Sequence, residues 1–346
     1  MTIHRKPNWQ KLRSQEMDWS VFHLRSRIIQ AVRSFFISHS YLEVDPPYLT
    51  PYPTLDSNIH SMETRFNDEA GNGHPLFLHT SPEHAMKKLL AAGADRIFFL
   101  GKVFRDRERT LLHNPEFSMV EWYRTEATYR DIQNDAQELI CTIAREVLST
   151  QHLLYQGKKI DLTPPWDSIN LSDLFDQKIG IDIKEAQTLE SLKEAAASCN
   201  IRFQPDDDWD TLFFRLFLEK IEPELGHPTP SFVLDYPLRM GLMAKRKEDN
   251  PEWVERVELY IAGLELANGY SELLDTEEQK RRFEEEQKKK MTELHKLYPV
   301  DTELLSALET GIPPSAGMAL GVDRLVMLFT DKKDIQDVLL FPLHQW

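Results

Sequence analysis

Three short stretches of this chain carry residue types and spacings suited to phosphate and amine chemistry. The first runs from Arg105-Asp106-Arg107-Glu108-Arg109 to His113-Asn114-Pro115-Glu116-Phe117. Its flanks, Arg96–Arg105 and Glu116–Arg124, are rich in apolar and aromatic residues, so the pattern predicts an antiparallel hairpin with a long charged loop. An arginine fixed at a strand end can clamp a polyphosphate, because guanidinium matches phosphate oxygens two at a time and rigid placement limits the entropy cost. A solvated hairpin with a charged tip is the plainer reading of the same residues.

The second stretch holds Glu258, Glu265, Asn268 and Glu272. Val257, Leu259 and Ile261 alternate with Glu258 and Tyr260, a strand signature. Two carboxylates, Glu258 and Glu265, facing one cleft beside a triphosphate suit Mg²⁺, a hard cation that needs few protein oxygens. Glu272 lies in the largely apolar NGYSELL, where a carboxylate needs a cationic partner or a polar site. An ordinary surface glutamate is the competing reading. In the third stretch, Gly317–Gly321 (GMALG) is a strand running into a helix at Val322-Asp323-Arg324. Small residues there let a nucleotide approach the backbone, and Arg324 adds positive charge. Tight strand–helix packing would also explain the glycines.

The elements that must position these residues are legible as periodicities. Phe22, Ile28, Ile29, Val32, Phe35 and Phe36 recur at helical spacing over Trp19–Ser38. Three prolines make Tyr41–Tyr52 extended. A short strand, Leu76–His79, leads to a helix from Pro82 to about Ala92, with Ser81 as its N-cap. Tyr129–Ser149 reads as helix. Residues 150–225 are mixed and mostly helical, with acidic patches such as Asp206-Asp207-Asp208, and read as an insertion. Thr276–Tyr298 reads as a solvated polar helix, and residues 1–16 as a loose arm.

Composition bounds the rest. The 346 residues are 41% hydrophobic and 28% charged, as in a soluble globular protein. Cys141 and Cys199 are far apart and in no metal-ligand spacing, which predicts a reducing cytoplasm rather than a disulfide framework. The start carries no apolar secretory core, and no apolar run is long enough for a membrane helix. The net charge is −15, which lowers the expectation of a long nucleic acid as main partner, although a local basic patch is compatible with it.

Together, in this order, the motifs resemble the class II aminoacyl-tRNA synthetase catalytic core, in its lysyl branch. YLEVDPPYL is similar to the first class motif, FRDRE…HNPEFSMVEWY to the second and GMALGVDRLVML to the third, while GLELANGYSELLD resembles the lysyl amino-acid pocket. The resemblance spans about residues 17–342. It implies an α+β fold, a central antiparallel sheet of six or so strands flanked by helices, and a homodimer formed through the proline segment. It implies ATP and Mg²⁺ as cofactors. Arg105 and Arg324 would be catalytic, Arg105 holding the α-phosphate and the amino-acid carboxylate and Arg324 meeting the γ-phosphate or adenine. ATP would further meet Asp106, Arg107, Glu108, His113, Asn114, Phe117 (stacked on adenine), Glu265, Leu266 and Gly321. Glu258 and Glu265 would hold Mg²⁺. The amino acid would meet Ser81, Glu83, Glu121, Tyr123, Asn268, Glu272 and Ala319, with Glu83 and Glu121 at the backbone-type amine and Tyr123 and Glu272 at the side-chain ammonium.

Lysyl-tRNA synthetases carry an N-terminal OB-fold that reads the anticodon, whereas here the catalytic helix begins near Trp19. That arrangement is similar to the stand-alone paralogues that attach (R)-β-lysine to a lysine of elongation factor P. The expectation is therefore a cytoplasmic ligase with a lysine-type amino acid as substrate, elongation factor P as acceptor and no tRNA. The alternative is a minimal lysyl-tRNA synthetase. An asparagine-synthetase-like ligase would need a cationic pocket where Glu272 stands, and a catalytically dead binding subunit would have no reason to keep Arg105, Glu258, Glu265 and Arg324 together. Two departures qualify the match. Arg107 stands where the lysyl pattern has the glutamate that reads adenine, with Glu108 one step on, and Ala319 stands where lysyl enzymes have glycine. The extra methyl would suit a β-amino acid.

Overall fold

The structure, a computed structural model, describes residues 6–343. Two helices, α1 (Asn8–Arg13) and α2 (Ser20–Ser38), precede the short strand β1 (Leu42–Glu43). A small sheet of β2 (Leu49–Thr50), β3 (Met62–Asn67) and β4 (Gly73–Leu78) leads into α3 (Glu83–Ala91). The predicted hairpin is present as β5 (Arg96–Phe104) and β6 (Glu116–Thr125), paired antiparallel from Arg96↔Arg124 to Phe104↔Glu116. The helix α4 (Tyr129–Ile143) starts at a Thr128/Asp131 capping box and runs on through a π turn to Leu148.

Next come β7 (His152–Tyr155), β8 (Lys158–Asp161), β9 (Asp167–Asn170), α5 (Leu171–Ile179), α6 (Leu189–Ser198) and α7 (Trp209–Leu216). The chain finishes with β10 (Ser231–Pro237), β11 (Trp253–Ile261), β12 (Leu264–Ser271), α8 (Thr276–Leu294), α9 (Thr302–Thr310), β13 (Ser315–Gly321) and α10 (Val322–Phe329).

Eight strands form the main sheet, in the order β1-β5-β6-β13-β12-β11-β10-β9. The inner pairs are antiparallel, while β1–β5 and β9–β10 at the two edges are parallel. This α+β sheet is larger than the six or so antiparallel strands expected, because each edge adds a strand that two residues or four can barely announce by alternation. The key placement is β13, which inserts between β6 and β12. It brings the GMALG stretch against both the hairpin and the acidic strand.

One face of the sheet is sealed by α2, α4 and α10. Phe36 of α2 stacks on Phe98 of β5 at 4.9 Å and meets Trp122 of β6 at 5.2 Å. Leu325, Val326, Met327 and Leu328 of α10 are all buried in the same cluster, each worth about 1.5–3 kcal/mol of burial. This leaves the other face of β6, β12 and β13 for polar side chains.

Three expectations need correction. The arm expected over residues 1–16 is helical and docked from Asn8 to Arg13, since buried Asn8 donates from Nδ2 to the carbonyls of Gln336 and Leu339, both at 2.7 Å; residues 1–5 lie outside the described residues. The helix after Ser81 has Pro82, not Ser81, at its N-cap. Ser81 still caps by accepting from the Glu83 amide at 3.0 Å, while its own proton goes to Glu121. The polar helix α8 is not solvated all round: Gln279, Arg282, Phe283 and Lys290 are buried, and it ends at Leu294 rather than Tyr298. Arg282 tolerates burial because it reaches the Gly241 and Ala244 carbonyls and Glu278. Residues 150–225, read as a mixed and mostly helical insertion, also contribute to the main sheet. Their strand β9 pairs with β10, and Phe175, Phe213 and Phe217 pack against Val233, Tyr236 and Tyr260. Among the described residues no helix is long and apolar enough to cross a membrane.

Candidate active site

The polar face of β6, β12 and β13 borders two cavities, of about 440 Å³ and about 910 Å³. Arg105, Arg256, Asn268 and Ala319 line both. Register explains why: Ala319 of β13 lies opposite Glu121 of β6 on one side and Asn268 of β12 on the other.

The smaller cavity is acidic. Ser81 and Glu83 enter from the start of α3, Glu121 and Tyr123 from β6, Asn268 and Tyr270 from β12. Glu121 accepts from Ser81 Oγ and from the Tyr123 hydroxyl, both at 2.7 Å. Burial, and then the charge of Glu83, push the Glu121 carboxyl up to about 7. Tyr123 has room for its ring because Gly317 lies across from it on β13, and a Cβ at Gly317 would come within 2.2 Å of that ring. The Tyr270 hydroxyl donates to Glu83.

Glu272 is the carboxylate expected at the substrate's side-chain ammonium. It is buried behind the cavity wall and lines neither cavity. Its cationic partner is internal: Lys87 Nζ lies 2.5 Å from Glu272 Oε2 and 2.8 Å from Glu83 Oε1. Burial disfavours the charge on Lys87, but Glu272 and Glu83 outweigh it and raise the ammonium above its ordinary range. Burial likewise opposes charge on Glu83, and Lys87 reverses that.

The larger cleft is lined by Arg105, Glu108, His113, Asn114, Phe117, Glu265, Leu266, Gly321 and Arg324. The Arg105 guanidinium lies over the Phe117 ring at 5.3 Å. Arg324 donates to the Glu265 carbonyl at 2.6 Å, and its Nη2 lies 2.6 Å from His113 Nε2. Arginine can only donate, so His113 accepts at Nε2 and carries its proton at Nδ1, 2.8 Å from Thr110 Oγ1. Burial, then Arg324 and Arg105, press the imidazole down to about 4. Asn114 lines the cleft while donating to the Glu116 carbonyl and accepting from the Leu343 amide.

Asp106 and Arg107, expected at ATP, line neither cavity. Arg107 adopts a left-handed backbone, φ 65°, and its guanidinium reaches Glu293 of α8 at 3.1 Å. The Asp106 amide bonds the His60 carbonyl. That turn leaves Glu108 in the cleft, 3.6 Å from Arg105.

The two expected metal ligands also part company. Glu265 has 36% of its side chain open, and desolvation by the cleft walls together with the charge of Glu258 raises its carboxyl. One open carboxylate beside arginines suits Mg²⁺, which takes one or two protein carboxylates and completes its shell with water and substrate phosphates. Glu258 lies under the floor with both oxygens occupied. Oε2 accepts from the Tyr236 and Tyr260 hydroxyls at 2.5 and 2.6 Å, and Oε1 accepts from Arg256 at 2.5 Å and Asn268 at 3.2 Å. A metal there would have to displace a donor, so the donor set makes Glu258 the anchor of Arg256 and Asn268.

Sequence reading missed Arg256 and Lys87. Arg256 reaches Glu258, Asn268 and the Met240 carbonyl and stacks over Tyr236 at 4.5 Å. It stands two residues before Glu258 on one strand, so the period-2 rule that singled out Glu258 also put Arg256 on the same face. Lys87 stands four residues after Glu83 on a helix, a spacing that faces one side chain onto the other. Asp323 is a third such group: it accepts from the Ser118 amide at 2.6 Å and pairs with Arg25, locking α10 to β6 at the cleft wall.

Comparison with known proteins agrees with this geometry. The family model described as tRNA synthetases class II (D, K and N) matches residues 1–345. The chain is 37% identical over 322 residues to a lysine–tRNA ligase of Moorella thermoacetica, covering 93% of this chain and 65% of that protein. It is 38% identical over 325 residues to one of Pelotomaculum thermopropionicum and 35% identical over 321 residues to one of Bacillus subtilis, each alignment covering 93% of this chain and 63% of the relative. The chain thus spans just under two-thirds of the length of these relatives. With the matched model covering the sheet, both cavities and all three motif stretches, the chain belongs to the class II tRNA synthetases of the D, K and N family.

Proposed function

We propose that this protein is an ATP-dependent ligase that activates a lysine-type amino acid as its adenylate. The observation that carries the reading is the pair of joined cavities, one acidic and one lined by Arg105 and Arg324, meeting at Arg105, Arg256, Asn268 and Ala319. An amino acid with two ammonium groups fits the acidic cavity, its amines toward Glu83 and Glu121 and its carboxylate toward the arginines at the junction. ATP fits the larger cleft, its base against Phe117 and its phosphates between Arg105 and Arg324. A carboxylate oxygen then attacks the α-phosphorus in line, forming one O–P bond as the bond to pyrophosphate breaks. Arg105 offsets the charge that builds at the α-phosphate, and Arg324 offsets that on the leaving pyrophosphate. Glu265 would hold Mg²⁺, which supplies further charge neutralisation at the phosphates when bound. No enzyme nucleophile is required, and rate comes from positioning and charge.

In the second half-reaction a nucleophile attacks the acyl carbon and AMP leaves. The relatives' name, lysine–tRNA ligase, supports the terminal hydroxyl of a lysine tRNA as that nucleophile, and the comparisons favour this acceptor. A second reading, transfer of (R)-β-lysine to a lysine amine of elongation factor P, is supported by Ala319, whose methyl stands at the junction of the two cavities, and by the net charge of −15. A homodimer through the proline segment belongs to the same proposal. Pyrophosphate–ATP exchange that depends on α- or β-lysine tests the first step; folded protein that shows none with either isomer overturns it. Mass analysis of lysine tRNA and elongation factor P after incubation, side by side, decides the acceptor.

A further inference from the structure

The loop from Arg105 to Pro115 joins β5 to β6 and carries Glu108, Leu112, His113 and Asn114 into the larger cleft. A charged connection of that length is mobile unless it is tied down. His60 holds the Asp106 amide and Arg324 meets His113. Arg107 reaches Glu293, but both side chains are about half exposed, so that pair contributes little. Two further ties come from one segment far along the chain, Ile335–Leu343. The Ile335 amide donates to the Leu111 carbonyl at 2.8 Å, and the Leu343 amide donates to Asn114 Oδ1 at 3.1 Å. Leu111 and Asn114 flank Leu112 and His113, so these two bonds bracket the part of the loop that faces the cleft.

The segment is itself fixed from behind. Ile335, Val338 and Leu339 are buried in the core that α2, α4 and α10 share with the sheet, whereas Leu340 and Phe341 are exposed. Apolar contact is non-directional and does not by itself set where the backbone amides point. Asn8 of α1 supplies direction. It is fully buried, donates from Nδ2 to the Gln336 and Leu339 carbonyls, and accepts at Oδ1 from Lys11 Nζ at 3.2 Å. Carbonyls only accept and an ammonium only donates, so these partners admit one orientation of the carboxamide. Asn8 lines neither cavity. We propose that Ile335–Leu343 is a clasp that holds the nucleotide-facing loop in its binding conformation, and that Asn8 is a positioning residue for ATP, acting through that segment. A loop already held this way lowers the ordering cost when ATP binds. The inference rests on the reading of the larger cleft as the ATP site.

The test is lysine-dependent pyrophosphate–ATP exchange on variants of the full chain, with backbone hydrogen exchange of the loop measured beside it. Asn8→Ala removes the donor to both carbonyls. The expected result is a KM for ATP raised at least about threefold, as for a lost hydrogen bond between neutral groups, with the KM for lysine within about twofold of wild type. Amides of residues 108–114 should exchange faster than in wild type. A purely structural Asn8 would lower unfolding stability and leave the ATP KM unmoved, or raise both KM values alike; either result overturns the proposal. Should Asn8→Ala not fold, Leu343→Pro decides. It deletes only the amide that Asn114 accepts, at a position 44% exposed, and a wild-type ATP KM in that variant overturns the proposal. Wild-type protein that lacks exchange sinks the activating reading and this inference with it, while wild-type exchange with an unmoved ATP KM in Asn8→Ala sinks this inference alone.

Discussion

Nη2 of Arg324 lies 2.6 Å from Nε2 of His113, so the last motif of the chain holds the imidazole of the hairpin loop in its neutral form. Protonating His113 would put a third positive charge between Arg324 and Arg105 at the place where ATP phosphates are proposed to sit.

The pH dependence of stability follows from that pair. His113 is pressed from its ordinary 6.5 down to about 4 in the folded protein, so between those values the unfolded chain binds the extra proton. Its neutral-state contribution is complete above about pH 6.5 and is lost as the pH falls toward 4, by about 2–3 kcal/mol. His113→Gln cannot titrate, so its denaturant-unfolding stability should fall less than that of wild type between pH 7 and 4.5. Parallel curves would refute the assignment.

Glu121 gives the amino-acid site a pH dependence of opposite origin. Its carboxyl is raised to about 7 by burial and by Glu83. Below pH 7 the free site is increasingly protonated and loses an acceptor for a substrate ammonium, so the KM for lysine should rise by up to about tenfold per pH unit. Glu121→Gln should show a high KM that is flat over pH 6–8. A wild-type KM already flat over this range would count against Glu121 as the titrating group.

Glu258 and Glu265 should separate cleanly on substitution. Glu258→Ala leaves the largely buried Arg256 without its charge partner, at a cost of about 2–4 kcal/mol in unfolding free energy. Glu265→Gln, at an open position, should change stability by less than about 1 kcal/mol. It should raise the Mg²⁺ concentration for half-maximal exchange at least about tenfold. The reverse pattern would restore Glu258 as a metal ligand.

Ala319 faces both cavities between Glu121 and Asn268. Ala319→Gly should shift the ratio of α- to β-lysine activation toward α-lysine, since room for one carbon is worth about 1–3 kcal/mol of discrimination. An unchanged ratio would mean that the methyl does not select the donor.

What the sequence by itself determined is local. The hairpin, the strand around Glu258, the Gly-punctuated strand running into α10 and the helix after Ser81 are set by periods of two and 3.6 and by turn and cap residues close in the chain. Those same spacings named Arg105, His113, Glu265 and Arg324, and the resemblance added Glu121; all of them line the two cavities. Tertiary structure alone decided which carboxylates are free. Glu272 could be read as needing a cation, but Lys87 reaches it from a distant helix. Glu258 could be read as facing a cleft, but Tyr236 from the neighbouring strand helps fill its oxygens. The entry of β13 between β6 and β12 was equally illegible. Pairing between strands far apart in sequence depends on which apolar faces can be buried together, and the period of any single strand carries no record of its partner.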